Sequence, residues 1–162
     1  MAHVGARLAV AIGLGCLLPG CHRGEPDAAS KSAASAPAEP SAGPVSEIHE
    51  GNFDLMMRPA GAVTAGQPAS VEISVATKAG YHPNDKYPYK FKPAESAGVS
   101  YAAPQFMKEA LKLEEHRATM TVGFTSDGKG ERTVAGLFAF SLCSADQCQI
   151  EKRQLALRVT AD

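Results

Sequence analysis

Two cysteines near the C-terminus carry the clearest chemistry in this sequence. Cys143 and Cys148 are separated by four residues, and runs rich in apolar residues flank them on both sides. This spacing predicts facing positions at the ends of two strands joined by a short loop, where two thiols oxidise in an exported protein. A bond that closes so short a loop contributes only about 2 kcal/mol. The pair is either a structural disulfide or a redox-active couple, and the spacing leaves both interpretations open.

Charged residues next to the cysteines bear on the redox interpretation. Thiol–disulfide exchange needs a reachable sulfur whose thiolate is stabilised by its surroundings. Lys152 and Arg153 follow the pair and favour a thiolate, whereas Asp146 inside the loop opposes it. The same charges also occur on ordinary exposed hairpins, so they do not separate the two interpretations.

Short strands must position this pair. Apolar residues alternate with polar or small residues in three segments, which predicts half-buried strands. These segments contain Val71, Ile73 and Val75; Met120, Val122 and Phe124; and Leu155, Leu157 and Val159. Residues 53–56, 87–92 and 133–142 are further strand candidates, and residues 105–115 are the only helical candidate. The pattern predicts an all-β protein, an antiparallel β-sandwich.

The N-terminal residues predict export and lipid attachment. Arg7 precedes an apolar run over residues 8–18, which suits a signal peptide and is too short to span a bilayer. The following Leu18-Pro19-Gly20-Cys21 resembles the bacterial lipobox. We therefore expect residues 1–20 to be a lipoprotein signal peptide and Cys21 to carry the lipid. The alternative is an ordinary secretory peptide with an incidental cysteine.

Composition divides the rest of the chain. Residues 21–46 are rich in Ala, Ser and Pro, which predicts a disordered lipidated tether. Residues 47–162 form the predicted β domain. The expected location is the cell envelope, outside the cytoplasm, with a lipid anchor in either the inner or the outer membrane.

The segment around the cysteines resembles a known family. The aromatic Phe140 precedes Cys143, a short loop leads to Cys148, and alternating apolar residues follow. This pattern is similar to the N-terminal domain of DsbD-type thiol:disulfide interchange proteins. Residues 79–82 resemble the Gly-aromatic segment of that domain, and residues 117–122 resemble the strand that precedes its cysteine hairpin. The resemblance implies an immunoglobulin-like antiparallel β-sandwich in which Cys143 and Cys148 are the catalytic pair.

The same resemblance implies how the pair is protected and what it reacts with. In the family, a loop with aromatic residues caps the cysteines, which here points to Phe106 and Met107, with Tyr81 contributing. Phe106 and Met107 are equally compatible with the domain core. The implied partners are a membrane-embedded electron donor and thioredoxin-like proteins. The implied function is thiol:disulfide exchange, and an enzyme of this kind would be a thiol:disulfide oxidoreductase.

Three departures separate this chain from the family pattern. The loop between the cysteines has four residues instead of five, and Gln149-Ile150 replaces the prolines that commonly follow the second cysteine. The membrane region and the thioredoxin-like domain of the family do not occur in this sequence. The alternative function is a non-catalytic binding or assembly lipoprotein, in which the Cys143–Cys148 disulfide is a structural staple.

Other functional classes have weaker support. A formal net charge of −1 argues against nucleic-acid binding. His82, His116 and Met56-Met57 include soft ligands, but their spacing does not match a metal site, and we expect neither a metal nor a cofactor. No phosphate loop or hydrolase motif is present, and no small-molecule substrate is evident. Residues 81–89 form an aromatic, turn-rich loop that suits either a binding surface or a rigid turn.

Overall fold

The computed structural model describes residues 44–162. The predicted signal peptide, the lipid site at Cys21 and most of the predicted tether lie outside the described residues. Residues 44–162 contain ten strands, one 3-10 turn at Lys108–Ala110 and no α-helix. Within this range, no helix has the length and apolar character that crossing a bilayer requires.

The strands follow one another along the chain with short connections. They are β1 (Glu47–His49), β2 (Phe53–Pro59), β3 (Pro68–Thr77), β4 (His82–Pro83), β5 (Lys90–Pro93), β6 (Val99–Tyr101), β7 (Leu111–Glu114), β8 (Arg117–Ser126), β9 (Gly130–Cys143) and β10 (Cys148–Ala161).

Two antiparallel sheets form the domain. Sheet A has the order β1-β2-β3-β8, and β6 and β7 pair with different parts of β8. Sheet B contains β10 and β9, and β4 and β5 pair with different parts of β9. The predicted fold class, an immunoglobulin-like antiparallel β-sandwich, is confirmed.

Alternating apolar residues from both sheets fill the interior. Ile73 in β3, Met120 in β8 and Phe138 in β9 are fully buried. The ring of Phe140 lies 5.1 Å from that of Phe53 in sheet A and 5.3 Å from that of Phe138, centroid to centroid. Burying each large apolar side chain contributes about 1.5–3 kcal/mol, so these contacts hold the sheets together.

The chain enters the sandwich slightly before the predicted domain boundary at residue 47. The N–H of Ala156 in β10 donates to the C=O of Val45 at 3.0 Å. The N–H of Met57 in β2 donates to the C=O of Ser46 at 2.7 Å. Val45 and Ser46 therefore join the edge of one sheet to the edge of the other.

The prediction of a helix over residues 105–115 is wrong. The chain makes a 3-10 turn at Lys108–Ala110 and then enters strand β7. The N–H of Phe106 donates to the C=O of Phe91, and the N–H of Phe91 donates to the C=O of Phe106, both at 2.9 Å. Leu111 and Leu113 then alternate with polar residues, and this period of two fits a strand better than a helix. Of the predicted strand at 87–92, only the part from Lys90 onward is a strand.

Candidate functional site

The two cysteines form a disulfide across the β9–β10 hairpin. Cys143 and Cys148 are directly opposed, with their Cα atoms 4.0 Å apart. The N–H of Ser144 donates to the C=O of Gln147 at 2.8 Å and closes the loop between the strands. Each strand is 14 residues long, so pairing along the whole hairpin already holds the cysteines together.

The disulfide lies on the outer face of sheet B. Phe140 and Leu142 point into the interior, and successive side chains of a strand point to opposite faces. Cys143 therefore points away from the interior, as does Cys148 across the hairpin. Cys143 is only 7% exposed, whereas Cys148 is exposed. Cys148 is thus the more accessible of the two.

His82 lies beside the disulfide. It is the Cα partner of Cys143 on the other side of β9, which places Cys148, Cys143 and His82 in one row across sheet B. Directly opposed residues have Cβ atoms about 4.5–5.5 Å apart. A turn at Gly80, whose φ is +84°, leads from β3 into this position. Sequence reasoning missed this neighbour because the contact depends on the register between β4 and β9.

Of the two basic residues predicted to stabilise a thiolate, Lys152 and Arg153, only Lys152 lies on the same face as the cysteines. Arg153 lies on the opposite face of β10, where its guanidinium contacts Glu151 Oε2 at 2.7 Å and Glu50 Oε1 at 3.5 Å. The same group stacks over the ring of Phe53 at 5.6 Å. Lys152 shares the face of Cys148 but lies four residues further along β10. Arg153 therefore lies across the sheet from the disulfide, and its charge is paired with Glu151 and Glu50 instead.

The three residues predicted to cap the cysteines lie in different places. Tyr81 is half-buried and precedes His82 at the cysteine end of β9. Phe106 is 9% exposed and packs against Phe91, which pairs with Phe138. Phe138 lies five residues before Cys143, or about 16 Å along the strand. Phe106 therefore belongs to the core, its other predicted environment.

A groove runs along one side of the sandwich, between residues 80–89 of sheet B and strand β7 of sheet A. It consists of two hollows that share Asp85 and Leu113. The histidine hollow, about 570 Å³, is lined by residues 80–83, Asp85 and residues 113–116. The tyrosine hollow, about 310 Å³, is lined by residues 85–89, Met107, Lys108, Leu111 and Leu113. Of the predicted site residues, Tyr81 lines the first hollow and Met107 the second.

A buried hydrogen bond holds Tyr89 in the wall of the tyrosine hollow. The Tyr89 hydroxyl donates to the C=O of Ser141 at 2.9 Å. Burial of the phenol and the nearby charge of Asp85 raise the pKa of Tyr89 to about 12, against the effect of a hydrogen bond from the Asn84 backbone. The ring of Tyr87 lies edge-on to that of Tyr89 at 6.3 Å. The hollow therefore has a rigid aromatic wall.

The metal-ligand candidates do not form a cluster. His82 and His116 both line the histidine hollow. Across residues 44–162, however, no group of three or more His, Cys, Asp or Glu side chains is arranged to hold a metal ion. Met56 and Met57 point to opposite faces of β2, and only Met57 is fully buried.

Comparisons with known proteins give only distant structural similarity. No family model matches the chain. No curated protein matches it either. The major subunit of aggregative adherence fimbriae type I from Escherichia coli, AggA, is 12% identical, with a TM-score of 0.34 over 70% of this chain and 98% of that one. A PapD-like domain of human CEP192 is 7% identical, with a TM-score of 0.29 over 71% of this chain and 91% of that one. We draw nothing about function from either structure.

Proposed function

We propose that this chain is a non-catalytic binding or assembly module that receives a partner in the groove between residues 80–89 and strand β7. The observation that carries the proposal is the groove itself. Two adjoining hollows of about 570 and 310 Å³ lie between the edges of the two sheets. Concave, partly apolar sites of this size are the usual places where proteins bind ligands.

Exposed apolar side chains in the groove support this function. Leu113 is 39% exposed and belongs to both hollows. Tyr87 and Met107 remain half-exposed around it. A partner that covered these side chains would remove apolar surface from water, at about 25 cal/mol for each Å².

The disulfide is best explained as a staple beside this groove. It links two strands that are already paired, and it joins cysteines that are only five residues apart in the sequence. His82 pairs with Cys143 and also lines the histidine hollow. By linking β9 to β10, the disulfide therefore stabilises strand β9, against which His82 lies. The bond can therefore stabilise the binding site without taking part in any reaction.

Site-specific photo-crosslinking in living cells tests the proposed function. A photoreactive amino acid replaces Leu113 in one variant and the exposed Thr160, in β10, in a control variant. We expect a discrete adduct only from position 113, and we expect Cys143→Ala/Cys148→Ala to retain it. Equal adducts from both positions, or none from position 113, would contradict a binding role for the groove.

Thiol:disulfide exchange is a second candidate function. The favouring observation is the exposure of Cys148 on an outer face where His82 adjoins Cys143. A partner thiolate would attack the Cys148 sulfur, form a mixed disulfide and release Cys143 as the thiolate. A second partner thiol would then resolve this bond, leaving the partner oxidised and this protein reduced. Membrane-embedded donors and thioredoxin-like proteins are the partner classes that the family resemblance implies.

A trapping experiment separates exchange from binding. Cys143→Ser leaves Cys148, the accessible member of the pair, without its disulfide partner and should accumulate a mixed disulfide if exchange occurs. Cys148→Ser leaves Cys143, the buried member of the pair, without its partner and serves as the matched control. Absence of a thiol-sensitive adduct in both variants would remove the exchange candidate.

Attachment outside the cytoplasm through a lipid on Cys21 remains part of the proposal. Several buried acyl chains would give stable anchoring, because each CH₂ group contributes about 0.8 kcal/mol. Metabolic labelling with a radioactive fatty acid should mark the wild type and not Cys21→Ser. Equal labelling of both would contradict lipid attachment at this residue.

A further inference from the structure

We propose that the groove binds an extended peptide strand, which pairs antiparallel with the free edge of β7. The peptide places a basic side chain in the histidine hollow and, four residues later, an apolar side chain in the tyrosine hollow. This inference rests on the proposed function, because it names the partner class for the same groove.

The backbone of β7 offers the pairing groups. Within residues 44–162, β7 pairs only with β8. The C=O of His116 accepts from the N–H of Thr77 in β3. Backbone groups of successive residues in a strand point to opposite edges, so those of Arg117 point toward Glu114 in β7. By the same alternation, the N–H and C=O of Leu113 point away from β8 and toward the groove.

The direction of the added strand follows from the backbone N–H and C=O groups that remain free on the edge of β7. The N–H of Leu111 already donates to the C=O of Lys108. Leu113 is therefore the residue of β7 that offers both a donor and an acceptor on this edge. In an antiparallel ladder, one residue of the partner exchanges both bonds with one residue of the strand. An antiparallel peptide centred on Leu113 uses both groups.

Side-chain alternation then assigns the hollows. Leu113 and Leu111 pair with Ala118 and Met120, which are buried, so their side chains lie on the inner face of sheet A. Peptide side chains opposite these two residues point to the same face, into the groove. Because β7 runs toward the histidine hollow, the antiparallel peptide starts there. Its positions 1, 3 and 5 reach the histidine hollow, Leu113 and the tyrosine hollow in turn.

Charge selects a basic residue for position 1. Asp85, Glu114 and Glu115 line the histidine hollow, and no Lys or Arg does so. Lys112 contacts Glu114 at 2.7 Å and neutralises it. The contact of Glu115 is the ring of His116, whose Nε2 lies 3.6 Å from Glu115 Oε1, and not a Lys or Arg. Asp85 and Glu115 are therefore the carboxylates that attract a cation. Tyr81 also lines this hollow, and an aromatic side chain there favours a cation.

The tyrosine hollow selects an apolar residue for position 5. Tyr87, Pro88, Tyr89, Met107 and Leu111 make up most of its lining. An extended peptide thus matches this site in three ways: its backbone matches the edge of β7, its alternation matches the two hollows, and its charge matches the first hollow. Strand addition to a sheet edge with pockets for alternate side chains is a general mode of peptide recognition.

Defined peptides test the inference. The probe is a fluorescent seven-residue peptide with the central sequence Lys-Thr-Val-Thr-Leu, and its comparator carries Glu in place of Lys. The protein is the full chain carrying Cys21→Ser, which cannot take the expected lipid. Fluorescence anisotropy should show about tenfold tighter binding of the Lys peptide at low salt, and the difference should shrink at roughly 500 mM salt. N-methylation of the Val nitrogen should weaken binding about fivefold, because it removes one hydrogen bond.

A charge-swap variant supplies the matched control. Glu115→Lys should abolish the preference between the two peptides, because the new positive charge offsets that of Asp85, whereas Glu131→Lys, which makes the same change at an exposed site in β9, should leave it unchanged. Equal affinities of the two peptides for the protein that retains Glu115, no effect of N-methylation, or no binding at about 1 mM peptide would overturn the inference. If these peptides fail while photo-crosslinking from position 113 succeeds, the groove binds a different class of partner and the proposed function stands. If both fail, both are wrong.

Discussion

Removal of the disulfide should destabilise the domain by an amount that its short loop sets. Cys143 and Cys148 are five residues apart in sequence, and the chain-entropy relation gives about 2 kcal/mol for a loop of this length. The pairing of β9 with β10 remains after the bond is removed, so the fold should survive. The appropriate variant is Cys143→Ala/Cys148→Ala, because serine would bury a hydroxyl at position 143.

Equilibrium unfolding in urea measures this effect. With a denaturant dependence of about 2 kcal/mol per M, the midpoint should fall by about 1 M without a change in slope. Reduced wild-type protein is the control and should show the same midpoint as the double variant. A loss above about 4 kcal/mol would mean that the bond supports far more than its own hairpin. A loss near zero would mean that it does not stabilise the hairpin at all.

Three further substitutions test the fold of the domain. Tyr89→Phe should reduce the loss of stability between pH 10 and 12, because the native Tyr89 pKa of about 12 exceeds the unfolded value of 10.0. The stabilisation that comes from this pKa difference is complete below pH 10 and is lost as pH rises through 12. Urea unfolding of both proteins across this pH range checks the prediction. Phe140→Ala should cost about 3–5 kcal/mol in urea unfolding, because the ring is fully buried against Phe53. Tyr101→Phe should cost about 1–3 kcal/mol in the same assay, because the Tyr101 hydroxyl accepts from the N–H of Ala135 at 2.8 Å and donates to its C=O at 2.9 Å.

The strands of the fold could be predicted because burial on one face imposes a period of two. Val71, Ile73 and Val75 illustrate this pattern, and all three are fully buried in β3. Residues 105–115 could not be assigned in the same way. Only Leu111 and Leu113 carry the strand period there, and the pairing of Phe106 with Phe91 depends on a distant segment.

The site could be predicted only in part, for a related physical reason. The disulfide follows from local spacing, since a four-residue loop brings Cys143 and Cys148 together. The position of His82 beside Cys143 depends on the register between two strands far apart in the sequence. The groove depends on how the edges of two sheets approach each other. No local pattern in the sequence encodes either of these arrangements.

The central claim is that this protein is a non-catalytic module whose disulfide is a structural staple. The reduction potential of the Cys143–Cys148 couple tests this claim most directly. The full chain carrying Cys21→Ser is equilibrated with graded thiol buffers under native conditions, and the oxidised fraction is measured. A structural staple should have a potential below about −300 mV and should be reduced slowly unless the domain is unfolded. Rapid equilibration at roughly −120 to −270 mV without denaturant would contradict a purely structural bond and favour thiol:disulfide exchange.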